Sequence, residues 1–218
     1  MRETKKYYEE RAHVFTEKKK RLFALLTMVV MLFGAMLFSA GDALGATVYG
    51  ELRNNYWKGY MTYSVSSTAT TYTVKVTSAG PYAVNGWVKY PFKTTLSGTG
   101  FTSVSGSMST SRIDKGSKKN LITKTFTWKK GTASSAKTVK AVTKNTYNDS
   151  VSTASKSFTV PALAKYTVSY NANGGTGAPA SQTKYYGRSL ILRTTKPVRE
   201  GYTFLGWSLS STATSASY

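Results

Sequence analysis

The sequence predicts an all-β protein with an N-terminal signal or anchor helix, and three observations predict it. Strand-like runs rich in Tyr, Val, Thr and Trp recur from Thr47 onward, broken by Gly, Ser and Asn. No stretch beyond that point carries a helical period of apolar residues. A long apolar run, Leu22–Phe38, reads "LFALLTMVVMLFGAMLF" and stands behind a charged head.

The head, Met1–Arg21, ends in "EKKKR", and the small-residue stretch "SAGDALGA" follows the apolar run. Positive head, apolar middle and small-residue exit are the parts of a secretory signal. Cleavage is expected after Ala43, Gly45 or Ala46, the last made imperfect by bulky Leu44 two residues before it. A spanning helix needs about 20 apolar residues, so retention of residues 22–40 as a membrane anchor is the alternative. With either outcome the head lysines stay inside and the rest is exported.

Removing the head changes the charge count. It carries the sole histidine, His13, and 8 of the 30 Lys+Arg, so 22 remain beyond Ala46 against Glu51, Asp114, Asp149 and Glu200, a net +18. Nucleic acid rewards clustered Lys and Arg, whereas these lysines are scattered in ones and twos, as at Lys137, Lys140 and Lys144. Nucleic acid is therefore disfavoured as a partner. Anionic cell-wall polymers, glycans or a host surface fit an exported cation better, and plain solubility is the bland reading. Cysteine is absent, so stability must come from packing without disulfides.

The strand runs can be followed in order. "NNYWKGYMTYSVS" places Trp57, Met61, Tyr63 and Val65 on one face. "TTYTVKVTS" aligns Tyr72, Val74 and Val76, with Lys75 opposite. "GPYAVNGWVKYPF" reads as a strand with Val84, Gly86, Val88 and Tyr90 on one side and Trp87 on the other. "TGFTSVSGSMST" continues the pattern, "NLITKTFTWKK" aligns Ile122, Lys124, Phe126 and Trp128, and "AKTVKAVTK" and "SKSFTVPA" close it. About six to eight strands with turns such as "DKGSKKN" between them predict an immunoglobulin-like β-sandwich over residues 47–161. Its Ser/Thr content invites a disordered-stalk reading, but disordered tracts lack regular aromatic faces. A hinge over residues 162–165 then leads to a second module at residues 166–218.

That module holds two glycine-punctuated aromatic phrases, "YTVSYNANGGTG" and "REGYTFLGW". The first reads as a strand running into a turn where Gly174 and Gly175 can take positive φ. "SQTKYYGRSLIL" reads as a second strand broken at Gly187, and "KPVREGYTFLGW" as a third that buries Tyr202, Phe204 and Trp207. The two phrases are thus expected to pair in one small sheet. The segment resembles the B-repeat of internalin-type surface proteins, also called the Listeria/Bacteroides repeat. The signature positions are Asn173, Gly174, Gly175, Gly187, Pro197, Gly201, Tyr202, Phe204, Gly206 and Trp207. The resemblance implies a small β-grasp-like module on secreted or envelope-attached bacterial proteins, with no catalytic residues. Such repeats run on through a further strand, so the ending "SLSSTATSASY" reads as an incomplete repeat of a longer chain, able to self-associate at an open edge. A looser resemblance links the first domain to sandwich modules of bacteriophage tail proteins, which the export signal opposes.

Enzymatic chemistry finds few candidates. Without Cys, and without His13 once the head is removed, Ser-His-Asp and Cys-His arrangements have no members and zinc lacks its usual ligands. Glu51 and Glu200 belong to different domains, and Asp114 and Asp149 sit in turn signals. "NGGTG" has no Lys-Ser and no helix behind it, so it is not a phosphate loop. No catalytic, metal or cofactor site is expected. Trp57, Tyr60, Trp87, Tyr90, Tyr185 and Tyr186 are candidates for a sugar-stacking platform, although strand aromatics are more often core. The expected role is adhesion or envelope association, with a structural component of a prophage tail or surface assembly as the rival.

Overall fold

Alternation decides which side of each strand is buried, and in the computed structural model, which describes residues 45–218, it builds ten strands and no helix. The expected signal or anchor lies outside the described residues up to Leu44. The strands are β1 (Ala46–Tyr49), β2 (Trp57–Ser67), β3 (Thr71–Ala83), β4 (Val88–Gly98), β5 (Phe101–Ile113), β6 (Ile122–Lys129), β7 (Ser135–Asn145), β8 (Val151–Val160), β9 (Lys165–Val168) and β10 (Gln182–Tyr185). All pairings are antiparallel. One four-stranded sheet has the order β1-β2-β3-β6 and the other β5-β4-β7-β8, while β9 and β10 form a two-stranded ribbon.

The apolar faces of the two larger sheets share one core. Met61, Val74, Val76 and Phe126 enter it from the first sheet, and Leu96, Val139, Ala141 and Val160 from the second. A smaller cluster of Trp57, Ala83, Val88, Phe92 and Ile113 adjoins the start of β4. There the Trp57 and Phe92 rings meet edge to face, 4.8 Å apart. Such offset contacts suit the ring quadrupoles. The faces expected for β2, β3 and β6 are those observed.

Two expectations need correction in this part. The segment "GPYAVNGWVKYPF" is not one strand: it spans the end of β3, a loop at residues 84–87, and the start of β4. Trp87 stands in that loop, 56% exposed, with the Arg112 guanidinium carbon 5.3 Å from its ring centroid. Pairing with β5 shifts between Tyr90 and Phe92, across Pro91, which has no N–H to give a ladder. β1 was not anticipated, because four residues are too few to display a period. It is defined by its pairing with β2 rather than by its own pattern.

The glycine-rich module departs further from expectation. β9 pairs with β10, so the first phrase pairs with the middle segment rather than with the second phrase. The second phrase forms no strand, and the only β-bridge beside it among the described residues is Thr176 with Val198. Tyr202 is 67% exposed, and Phe204 and Trp207 are half-buried. None of residues 164–218 is fully buried. Three aromatics pack on one another instead of on a sheet: Trp207 lies 4.7 Å from Tyr170 and 5.0 Å from Phe204. Within the expected hinge, Leu163 is buried and its N–H donates to Gly131 O at 2.8 Å.

Among the described residues two buried donors, Trp57 Nε1 and Asn145 Nδ2, have no acceptor. An unmade buried hydrogen bond costs about 1–3 kcal/mol. Trp57→Phe removes one such donor while keeping most of the ring, so it should shift stability by less than about 1.5 kcal/mol in urea unfolding. Trp57→Ala, by contrast, should cost about 3–5 kcal/mol.

Candidate functional site

The six aromatics considered as a platform do not form one surface. Trp57 is 0% exposed and belongs to the smaller core cluster, and Tyr60 is 1% exposed but is buried on the outer side of β2. Tyr90 is half-buried and stacks on Tyr147, with centroids 6.2 Å apart. Trp87 is in the loop before β4, and Tyr185 and Tyr186 are at the end of β10.

What register brings together is a different set on the outward face of the first sheet. Tyr49 of β1 stands opposite Tyr60 of β2. Lys58 of β2 stands opposite Tyr82 of β3, and Tyr82 bridges to Lys118 in the segment before β6. Directly opposed residues point to the same face, so these five side chains converge. The Tyr49 and Tyr82 rings are 5.5 Å apart at 43°. Lys58 Nζ lies 4.6 Å from the Tyr49 centroid and 5.8 Å from that of Tyr82. Lys118 Nζ lies 5.1 Å from Tyr49, 5.3 Å from Tyr60 and 5.9 Å from Tyr82. The ring faces attract both ammoniums.

Gly80 makes the arrangement possible. A Cβ there would come within 2.0 Å of Lys119 O, so only glycine lets the segment carrying Lys118 cross the outside of β3. The crossing is held by Lys119 N–H donating to Pro81 O at 3.0 Å and Leu121 N–H to Ala79 O at 2.9 Å. Beneath it, Tyr60 and Ser78 share a hydroxyl hydrogen bond.

Burial raises the Tyr60 pKa above 10.0; the Ser78 hydrogen bond and the nearby Lys118 charge oppose this, and Tyr49 adds to it. Tyr72 is raised too, again chiefly by burial. For both, the unfolded chain loses its phenolic proton first as the pH climbs, and the native state then binds more protons. Stability should therefore fall once the pH passes about 10. Urea midpoints at pH 9 and pH 11 check this, and Tyr60→Phe should flatten part of the slope.

The second sheet presents its own cations outward. Lys93 and Lys144 are directly opposed, a like-charge pair that would destabilise the ladder alone. Asp149 relieves it, 2.6 Å from Lys144 Nζ. Hydroxyl pairs stand on the same sheet, Thr95 with Ser105 at 2.8 Å and Thr138 with Ser157 at 3.0 Å.

Three of the four acids weighed for chemistry, Glu51, Asp114 and Asp149, are occupied locally. Glu51 pairs with Arg53, and Asp114 pairs with Arg112 at 2.6 Å. Among the described residues no group of three or more His, Cys, Asp or Glu side chains is placed to hold a metal ion.

The signature glycines of the second module serve turns and close approaches. Asn173 and Gly174 take φ of 49° and 86°. At Gly175 a Cβ would sit 2.4 Å from Val198 O, where the two phrases touch. Both backbone bonds of the Thr176–Val198 bridge form, at 2.8 and 2.9 Å. Arg199, not singled out from sequence, ties the phrases together: its Nη1 donates to Asn173 O at 2.8 Å, and its guanidinium carbon lies 4.0 Å from the Tyr202 centroid. Tyr170, Leu190, Leu192, Phe204 and Trp207 help line a groove of about 970 Å³.

Tyr49, Lys58, Tyr82 and Lys118 were also missed. Lys118 is 60 positions beyond Lys58, and only strand register makes them neighbours. Arg199 did leave a trace, since it stands inside the "PVREGYTF" phrase.

No curated protein and no solved structure matches the chain. The turn, the bridge and the aromatic cluster lie in residues 166–218, which match the family model of the Listeria-Bacteroides repeat domain.

Proposed function

We propose that this protein is a non-catalytic, exported bacterial cell-surface protein whose basic β-modules associate with anionic envelope polymers or glycans. The observation that carries the reading is the pairing of a repeat typical of bacterial surface proteins with a neighbouring β-domain whose lysines greatly outnumber its acids. Three of the four acids beyond Ala46 are already tied to a base, which supports a role without acid–base chemistry. The domain organisation is a signal or anchor over residues 1–46, a sandwich over 47–161, a connector over 162–165 and the repeat over 166–218.

The connectivity supports an immunoglobulin-like reading of the sandwich. With β1 set aside, β2, β3 and β6 take the places of strands A, B and E. β5, β4, β7 and β8 then take those of C′, C, F and G. The chain crosses between sheets three times, after β3, β5 and β6.

The rival reading, a structural component of a prophage tail or surface assembly, draws on the apolar side chains the repeat exposes. Ile191, Leu205 and Leu209 are 86%, 72% and 92% exposed, and exposed apolar patches mark contact surfaces.

Mixing the full chain with isolated Gram-positive cell walls across a salt series separates the two. Envelope association predicts retention at low salt that falls at least about tenfold towards 1 M, where the screening length shrinks to about 3 Å. Absence of retention at every salt concentration would leave the assembly role as the better account.

A further inference from the structure

We propose that the Tyr49–Lys58–Tyr82–Lys118 cluster is a binding site for a phosphodiester-linked polyol or sugar polymer. A phosphate lies between the two ammonium groups, and the adjoining carbon unit lies against Tyr49. This deepens the envelope reading and rests on it.

The lysines are already in place. Lys58 and Lys118 approach the same two tyrosine rings, at 4.6–5.9 Å from the centroids. Their backbones are fixed by register, Lys58 opposite Tyr82 and Tyr82 opposite Lys118. Side chains held before binding lose less rotamer freedom on binding. Among the described residues neither lysine is in an ion pair, and Glu51, Asp114 and Asp149 are engaged by Arg53, Arg112 and Lys144. Two ammoniums drawn to the same two rings repel each other, and an anion between them converts that repulsion into two attractions. Lysine is a point-charge donor suited to phosphate oxygens.

The surroundings favour a polymer over a free anion. Tyr49 is 43% exposed, leaving apolar ring surface beside the charge for a polyol or sugar carbon chain. Lys75 lies exposed on the outward face of the same sheet, paired across to Ser64 and Thr125. Further phosphates of one strand can reach it. The cluster is not built for a buried ligand: Lys118 is exposed and Lys58 half-buried, which suits a chain lying along a surface.

The test measures binding of soluble poly(glycerol phosphate) to the full chain by calorimetry at fixed salt. The site variant is Lys58→Gln with Lys118→Gln. The control is Lys93→Gln with Lys140→Gln, which removes the same charge from the other sheet. The site variant should bind about tenfold or more weakly, and the control should stay within about twofold of wild type. Tyr49→Ala should weaken the polyol polymer while leaving inorganic polyphosphate within about twofold. Thermal unfolding verifies that each variant is folded. Should the double variant fail to fold, Lys118→Gln alone replaces it, with a loss of at least about threefold expected. Equal losses in site and control variants would overturn the site and leave the envelope reading standing. No binding by wild type to the polymer or to cell walls would overturn both. Binding to vesicles of anionic phospholipid but not to the polymer would overturn the assigned ligand.

Discussion

Phe126→Ala should destabilise the larger domain by about 3–5 kcal/mol, the range for emptying a buried aromatic site. Phe126 is 0% exposed and belongs to the core shared by both sheets. Phe101 meets it edge to face at 5.4 Å, and Trp128 stacks near it at 6.1 Å. From the opposing sheet it is met by Gly98, where a Cβ would sit 2.5 Å from the ring. Loss of the ring leaves a void that glycine cannot help to fill, so relaxation should recover little of the cost. Urea unfolding followed by tryptophan fluorescence reads the change. A loss below about 1 kcal/mol would mean that the site collapses freely and that Phe126 is not central. Leu121, half-buried on the smaller cluster, offers a comparison expected to cost less when truncated.

The second large effect concerns the repeat. Residues 165–218 produced alone should show no cooperative thermal transition, whereas residues 45–164 should unfold in one. The repeat's paired strands, β9 and β10, are four residues each, and an isolated two-stranded hairpin is marginal at best. None of its residues is fully buried, so it has little apolar burial to set against a backbone ordering cost of about 1–2 kcal/mol per residue. The larger domain has the opposite balance, with Met61, Val74, Leu96, Phe126 and Val139 all at 0% exposure. Calorimetry on each fragment decides the matter. A sharp heat-absorption peak from residues 165–218 would refute the prediction.

The differing legibility of the two parts has a physical cause. Where a strand is long and has one wet face, burial imposes a period of two that can be read along the chain, as in β3, β6 and β7. Where an element is short or irregular, no period exists: β1 is four residues, and the phrase from Arg199 to Trp207 forms no strand. The register shift at Pro91 was not legible, because it depends on the partner strand. The repeat signature was legible for a different reason. Positive φ at Gly174 and Gly201 and close approach at Gly175 demand one residue type at fixed positions, whatever the rest of the module does.

By itself, the sequence determined the all-β class, the inward faces of β2, β3 and β6, the basic imbalance and the resemblance of residues 166–218 to the repeat. The class, the faces and the imbalance follow from composition or from local periodicity, which need no knowledge of what lies across the core. The repeat follows from a resemblance carried by its signature residues. Only the tertiary structure decided that Tyr60 is buried on the outer side of its sheet, that the two phrases meet through Arg199, one bridge and the Tyr170–Trp207 contact, and that Lys58 and Lys118 share the tyrosine rings. Those outcomes depend on register between strands and segments up to 60 positions apart. Register is a sum of many side-chain fits across a sheet, and no single stretch of chain contains it.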